Sequence, residues 1–404
     1  MTGQPPGPEA EEPQRVRERT DAFRLALEAT PDVGEAAGED PLLEDDLSEG
    51  AVPLTERLRD RRTQASIIVP VVVLALFALA LPGFELDTLV DYVLGADPAW
   101  LLAAFAIYYL GFPLRGYRWS LLLRGIGAKV PVRDSTEIIF VSWLVNSVVP
   151  AKLGEVYRAW LLKINYPVSL SATFGTIFIE RIFDIFAIVI LGLGAAFWSF
   201  RTGLDDTVRT IMLGGIVVVV LLAVALFTLR NFGRRLVEWL PLPHRAKELY
   251  EHFEDGVFSA DRRTLPLVAV LTGLIWTTEA LRLLFVVDSL GFDISLGISG
   301  AFFVALVASL LTAVPFTPAG LGIVEAGIVG LLTVVYQADP NEAAAIALVD
   351  RAISVLSVIV LGFIAYLLSP KTKGGGSSSS SGPGSGHDAG GPREGRAEQG
   401  TTTA

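Results

Sequence analysis

The residues of this sequence best suited to do chemistry are charged side chains that interrupt long apolar runs. They stand in three groups: Glu180, Arg181 and Asp184, then Glu279 and Arg282, then Asp350 and Arg351. A charge near the centre of a bilayer costs roughly 2.5–3.5 kcal/mol on insertion scales, so each charge should pair or line a cavity. The pattern therefore allows two interpretations. The charges are ion pairs that clamp helices together, or they form a polar path for a charged headgroup or a coupling ion.

Two more arginines stand directly after the apolar run at residues 99–114. Guanidinium groups bind phosphate in two-point fashion, so Arg115 and Arg118 either contact a phosphate or headgroup or are ordinary basic residues of a cytoplasmic loop. The second interpretation is preferred for Arg124. Glu180 and Asp184 are four residues apart and are expected to share one helical face.

Two apolar stretches are broken by proline and glycine. The candidate residues around the breaks are Asn146, Pro150, Lys152, Gly154, Glu155 and Arg158 in the first stretch, and Pro318, Gly320, Gly322 and Glu325 in the second. Such breaks are typical of re-entrant hairpins, which are tolerated only inside protein or beside a water-filled cavity. The glycines either simply permit the turns or let backbone N–H groups approach an anion. Asn146 and Lys152 are expected to line the polar space.

The composition excludes several kinds of chemistry. The chain has no cysteine, and its three histidines lie in polar stretches, so neither a metal site nor thiol chemistry is predicted. The net charge of −11 has no basic stripe that would suit nucleic acid. The glycines at 320 and 322 are not followed by lysine, which excludes a nucleotide P-loop. We therefore predict no cofactor and no enzymatic activity.

The elements that must position these charges are membrane helices. The chain has 404 residues, of which 51% are hydrophobic, and a mean hydropathy of +0.52. Spans of about 20 apolar residues cross a bilayer, and the candidates are Ala65–Leu81, Ala99–Leu114, Ser171–Trp198, Ile211–Leu229, Leu265–Leu290 and Ala343–Leu368. The predicted fold is an all-α polytopic membrane protein with six full spans and two re-entrant hairpins. The second hairpin could equally be two full spans.

Basic residues and tails set the orientation and the domain limits. Residues 1–64 form an acidic tail with 8 basic and 16 acidic side chains, and 369–404 form a Gly/Ser-rich tail. The membrane domain is therefore predicted over 65–368. Loops rich in Lys and Arg alternate with loops that lack them, so both termini are predicted to be cytoplasmic in the plasma membrane.

The halves at about 99–198 and 265–368 repeat one order of features. Each half has an arginine-bearing span, a Pro/Gly hairpin that ends in glutamate, and a span with an acidic residue followed by arginine. The separation from Glu155 to Glu180 equals that from Glu325 to Asp350. Since the first span of each half runs in the opposite direction, we predict inverted repeats, which are common in transporters.

The motifs resemble a known family. The runs LRGYRWSLLLRGIG (114–127), NSVVPAKLGEVYRAWLL (146–162), FIERIFDI (178–185), PFTPAGLGIVEAG (315–327) and ALVDRAIS (347–354) are similar to the membrane region of lysylphosphatidylglycerol synthetases and of stand-alone flippase-like membrane proteins. The resemblance covers about residues 65–368. It implies a membrane domain that moves lipids or lipid-linked sugars between leaflets, and it points to most of the candidate residues above. It does not extend to a soluble aminoacyltransferase domain or to the acidic tail.

Three functions are therefore considered. The first is a flippase for a phospholipid or a polyprenyl-linked glycolipid, with membrane lipids as partners and a coupling proton or ion. The second is a secondary transporter of a small solute or ion, which would use the same architecture. The third is a lipid-modifying enzyme, whose general acid and base would have to be Glu or Asp.

Overall fold

The computed structural model describes residues 86–149, 152–201, 206–239, 243–294, 296–312 and 317–373, and within these ranges the regular structure is helical, with no strand. The helices are α1 (Leu86–Gly95), α2 (Pro98–Gly125), α3 (Val132–Val148), α4 (Leu153–Asn165), α5 (Leu170–Ser199), α6 (Asp206–Trp239), α7 (His244–Val257), α8 (Leu265–Leu290), α9 (Gly297–Leu311), α10 (Ile323–Val335) and α11 (Pro340–Leu368). The all-α fold class is confirmed.

Five of these helices, α2, α5, α6, α8 and α11, are long and apolar enough to cross a membrane. They coincide with five of the six predicted spans, whereas Ala65–Leu81 lies outside the described residues. The span predicted to end at Leu114 is longer than expected, because α2 continues through Pro113 to Gly125. Arg115 and Arg118 are therefore part of a spanning helix and not of a loop after it.

Local sequence explains where the spanning helices begin. The carboxylate of Asp97 accepts a hydrogen bond from the backbone N–H of Ala99, and Pro98 occupies the first turn of α2, where a missing N–H costs nothing. Asp339 and Pro340 begin α11 in the same way. A serine, Ser169, caps α5.

The centre of the bundle is the antiparallel pair α2 and α8. The N–H of Asp97 donates to the carbonyl of Ser289 at one end of the pair, and the Arg118 side chain reaches Thr272 near the other. The first spans of the two halves therefore run in opposite directions, as inverted repeats require. The inverted repeat itself stays a prediction.

The two hairpins consist of short helices. Helices α9 and α10 have 15 and 13 residues, which correspond to about 22 and 20 Å, less than a bilayer core of roughly 30 Å. Helices α3 and α4 pair with each other, and the turn of the second hairpin rests on α3, where Leu321 packs against Leu144. These lengths favour re-entrant hairpins whose turns meet inside the bundle.

The chain beyond α11 is fastened to the first hairpin. The Lys371 ammonium donates to Asp134 over 2.6 Å, and the Tyr166 hydroxyl donates to the same carboxylate. Burial and this hydrogen bond raise the pKa of Tyr166, so the phenol stays protonated and remains a donor. Asn165 also donates to the carbonyl of Lys371. These contacts hold the start of α3, the end of α4 and the end of α11 together.

One glycine sets the distance between the hairpin helices. A Cβ at Gly154 would overlap the carbonyl oxygen of Ser142 and the side chain of Asn146. Gly154→Ala should therefore push α3 and α4 apart and destabilise the protein by about 1–3 kcal/mol. Melting followed by tryptophan fluorescence in detergent would measure the loss. Gly194→Ala on α5, where a Cβ meets nothing within 4 Å, is the matched control and should not lower the melting temperature. Equal melting temperatures for the two variants would contradict the close approach.

Candidate functional site

A polar cavity lies between the turns of the two hairpins and the middles of the spanning helices. Its volume is about 180 Å³, enough for roughly a dozen waters. Its charged lining consists of Arg115, Lys152, Glu155, Arg158, Arg181, Asp184, Glu279, Arg282, Asp350 and Arg351. All ten are candidate residues from the sequence, so the fold brings most of the predicted set to one place.

A chain of ion pairs joins the two halves across α2 and α8. Arg115 Nη2 lies 2.7 Å from Glu279 Oε1, and Glu279 also pairs with Arg282 one helical turn away. Arg282 then donates from Nε to Asp350 Oδ1 over 2.8 Å. Its guanidinium also lies 5.0 Å from the ring centroid of Tyr108, a residue that is 1% exposed. These contacts link α2, α8 and α11.

A second cluster is centred on Arg118. Its Nη1 lies 2.6 Å from Asp184 Oδ1 and 2.9 Å from the hydroxyl of Thr272, while its Nε lies 3.2 Å from Glu180 Oε1. The other oxygen of Glu180 pairs with Arg158 Nη1 at 2.7 Å. Glu180 and Asp184 therefore do share a helical face and bind one arginine together. Arg118 is 1% exposed and lies behind the cavity wall, so its predicted contact with a phosphate is not supported.

The glutamates of the two hairpins pair in equivalent ways. Glu155 Oε1 lies 3.6 Å from Arg181 Nε, and Glu325 Oε1 lies 2.8 Å from Arg351 Nε. The first pair is loose and about a third exposed, whereas the second is buried. This difference in exposure indicates that there is more open space beside the first hairpin than beside the second.

Acidic and arginine residues that are adjacent in sequence do not pair with each other. Glu180 contacts Arg118 and Arg158, not Arg181, and Asp350 contacts Arg282, not Arg351. Adjacent helical residues point about 100° apart, so each finds its partner on a different helix. Ion pairs do clamp the helices, through partners on other helices.

The residues at the hairpin turns have separate roles. The Asn146 carbonyl oxygen accepts from the N–H of Gly154 at 2.8 Å, so both close the first hairpin. The N–H of Gly322 donates to Glu325 Oε2 over 2.6 Å and begins α10. Gly320, with a φ of +71°, lies in the cavity wall. Pro318 belongs to a short 3₁₀ turn with Gly320, and Pro150 lies outside the described residues.

The sequence interpretation missed the aromatic lining of the site. Tyr108 is buried on α2, and its hydroxyl donates to the carbonyl of Ser354. Trp143 and Trp276 also line the cavity, and Trp276 Nε1 donates to Asp184. Ser354 lies in a π-helical segment, Ala352–Leu356, a feature often found at functional sites. Only the closeness of Tyr108 to Arg115 along α2 could have indicated its place.

Substitutions in these ion pairs differ in whether they leave a buried charge without a partner. Glu325 is fully buried and has Arg351 as its one arginine partner within the described ranges. Arg351→Gln should therefore cost about 3–5 kcal/mol, and Glu325→Gln in the same chain should recover most of it. Arg115→Gln should lower the melting temperature much less, because Glu279 keeps Arg282. Equal losses for Arg351→Gln and Arg115→Gln would contradict this network.

The sequence also matches known proteins. It matches the family described as Lysylphosphatidylglycerol synthase TM region over residues 66–362. It is 33% identical over 225 residues to a UPF0104 membrane protein of Methanocaldococcus jannaschii, covering 55% of this chain and 93% of that protein. It is 26% identical over 325 residues to a UPF0104 membrane protein of Methanothermobacter thermautotrophicus, covering 74% and 93%. It is 28% identical over 355 residues to Glycosyltransferase AglD of Haloferax volcanii, covering 77% of this chain and 56% of that protein. The chain is thus a multi-pass integral membrane protein that belongs to the family of the lysylphosphatidylglycerol synthase transmembrane region.

Proposed function

We propose that this protein moves a lipid with a charged headgroup between the two leaflets, and that the headgroup passes through the cavity between the hairpin turns. The observation that carries the proposal is the charge of this cavity. Six cationic side chains and four carboxylates line it, and seven of these ten lie within spanning helices that are otherwise apolar. Charges at this depth are expensive and are typical of substrate pathways.

Ion pairing alone does not account for the cavity. A purely structural clamp needs each guanidinium N–H to meet an acceptor, because a buried unpaired donor is destabilising. Here Arg115 Nη1 and Arg158 Nη2 are buried without a hydrogen-bond partner among the residues that the structure describes. A ligand in the cavity would supply the missing acceptors, so these groups support binding of a headgroup.

The looser pair in the first hairpin supports a transport cycle. Glu155 and Arg181 are more exposed than Glu325 and Arg351. If the halves are inverted repeats, the opposite conformation would tighten the first pair and open the second. Glu155 and Glu325 would then hold their arginines in turn, and they are the residues proposed to bind a coupling proton or ion.

A relative supports a second choice of substrate. Similarity to a protein named as a glycosyltransferase favours a polyprenyl-linked sugar as the lipid. A lipid-modifying reaction would need a general acid and base among the carboxylates of the cavity. A secondary transporter of a small solute would use the same cavity, and selective dependence on a lipid headgroup separates it from a flippase.

The proposed location is the plasma membrane with both termini in the cytoplasm. The native chain lacks cysteine, so single cysteines can be labelled without background. Arg262→Cys lies in an exposed loop on the predicted cytoplasmic side, and Asp293→Cys lies in an exposed loop on the predicted outer side. An impermeant maleimide should label Asp293→Cys in intact cells, and it should label Arg262→Cys only after permeabilisation. The reverse result would overturn the orientation.

Translocation by the purified protein in liposomes tests the function. Fluorescent phosphatidylglycerol, phosphatidylcholine and polyprenyl-phosphate sugar should be compared by bleaching the outer leaflet. Arg181→Gln should lower translocation about 100-fold and leave the melting temperature nearly unchanged, because Asp184 keeps Arg118 and Glu155 is partly exposed.

Arg124→Gln, at an exposed position of α2, is the matched control and should behave as wild type. Wild-type transport in a stable Arg181→Gln variant would remove Arg181 from the pathway. Absence of translocation of any lipid by the wild-type protein would contradict the proposed function.

A further inference from the structure

The groups that the cavity leaves without partners are nearly all donors. Arg115 is 5% exposed, and its Nη2 pairs with Glu279, but its Nη1 has no hydrogen-bond partner. The same guanidinium lies 4.7 Å from the ring centroid of Trp143, which also lines the cavity. Packing against this ring and the pair with Glu279 fix the direction of the guanidinium, so its free edge is preorganised.

Arg158 presents a second edge of this kind. It is 4% exposed, and its Nη1 pairs with Glu180, while its Nε and Nη2 have no hydrogen-bond partner. Its guanidinium stacks 3.7 Å above the ring of Trp119. The Nε and Nη2 atoms form the side of a guanidinium that binds two oxygens of one phosphate or carboxylate.

The carboxylates of the site, in contrast to these arginines, are nearly all held by close partners. Asp184, Glu279 and Asp350 each lie within 3.4 Å of at least one arginine nitrogen. Glu180 and Glu325 are buried and ion-paired as well, although Glu180 Oε2, which lies 2.7 Å from Arg158 Nη1, has no hydrogen-bond partner among the described residues. Glu155 is the most loosely held, at 3.6 Å from Arg181. The site therefore offers one partly available carboxylate against two buried guanidinium edges.

Lys152 adds to the excess of cationic groups over carboxylates in the site. It is the residue before α4, has a left-handed backbone with a φ of 54°, and lines the cavity. Within the described ranges it has no ion-pair partner, whereas each of the six arginines of the network has at least one carboxylate. With Lys152 included, seven cations face six carboxylates, so the described site carries one excess positive charge.

We propose that Arg115, Arg158 and Lys152 form a phosphate subsite, and that the transported lipid carries a phosphodiester anion with no ammonium to offset it. This inference deepens the proposed function and rests on it. The phosphate oxygens accept from the free edges of Arg115 and Arg158, and the charge of Lys152 balances the anion. A headgroup that carries lysine brings ammonium groups, and they would find no free buried carboxylate here. The substrate of this chain is therefore anionic, in contrast to the aminoacylated lipid in the family's description.

Two variants test the subsite without dismantling the network. Arg115→Gln leaves Glu279 paired with Arg282, and Arg158→Gln leaves Glu180 paired with Arg118. Both should therefore fold, which their melting temperatures would verify. Arg124→Gln is again the control, because it removes an exposed arginine of the same helix as Arg115.

The first experiment is translocation in phosphatidylcholine vesicles with fluorescent tracers. The wild-type protein should move phosphatidylglycerol at least tenfold faster than phosphatidylcholine or lysylphosphatidylglycerol. Each Gln variant should slow phosphatidylglycerol about 10- to 100-fold, the value for loss of a hydrogen bond between charged groups, with little change for phosphatidylcholine. Equal or faster movement of lysylphosphatidylglycerol would overturn the proposal and leave the flippase function intact.

The second experiment measures binding in detergent, separately from transport. Dihexanoylphosphatidylglycerol should raise the melting temperature of the wild-type protein, and this shift should disappear in Arg115→Gln and Arg158→Gln. A shift without any translocation would support the anion subsite while the proposed function fails. An equal shift with inorganic phosphate at the same concentration would show that the site takes free phosphate, and no shift with either probe would show that there is no anion subsite. Both results overturn the lipid proposal.

Discussion

The structure depends on one constraint, the cost of a charge placed among apolar helices. Every buried arginine of the described bundle lies against a carboxylate, and each of them has at least one such contact with another helix. Arg118 on α2 binds Glu180 and Asp184 on α5, and Arg282 on α8 binds Asp350 on α11. In an apolar medium the loss of one partner is far more costly than it would be in water. The ion pairs therefore specify how the spanning helices pack, which apolar contacts alone would leave degenerate.

The same constraint explains the hairpins. Helices of 13 to 17 residues with broken turns leave backbone groups unpaired, which lipid does not tolerate. Here the described residues beside both turns line a polar cavity inside the bundle, and the second turn packs on α3, where Leu321 and Leu144 belong to one buried cluster. Local hydrogen bonds from Gly154 to Asn146 and from Gly322 to Glu325 satisfy part of the exposed backbone. A cavity at this depth is thus a consequence of how the hairpins are stabilised, and it is also the space that a headgroup would use.

Equivalent residues of the two halves form ion pairs that differ in length and in exposure. An arginine of the first span binds an acidic residue of the last span in both halves, and the hairpin glutamate binds the arginine that follows that residue. The first half adds Arg158 and Asp184, which have no counterpart among the contacts of the second. The difference gives the first hairpin the looser ion pair and one of the free guanidinium edges. The proposed transport would require such a difference between states, and the predicted inverted halves would provide a simple way to reverse it.

Much of the architecture was predictable from the sequence, because the determinants are local. Apolar runs of sufficient length indicate spanning helices, Asp-Pro and Ser mark where helices begin, and Pro/Gly breaks indicate hairpins. The candidate charges were also identified, since charge within an apolar run is rare. The end of α2 was misplaced because Arg115 ends the uncharged run, whereas the helix continues to Gly125 and packs against α8.

Which charge meets which was decided only by the tertiary structure. The sequence placed Glu180 beside Arg181 and Asp350 beside Arg351, but helical geometry turns neighbours to different faces. Glu180 binds Arg118, 62 residues away, and Asp350 binds Arg282, 68 residues away. For the same reason the burial of Tyr108 and of Arg118, and the free edges of Arg115 and Arg158, could not be inferred from spacing. The sequence by itself determined which residues must be paired or hydrated, because that follows from residue type and an apolar surrounding. Only the packing of the helices determined which of them are left open to a ligand, because that depends on distances between segments far apart in the chain.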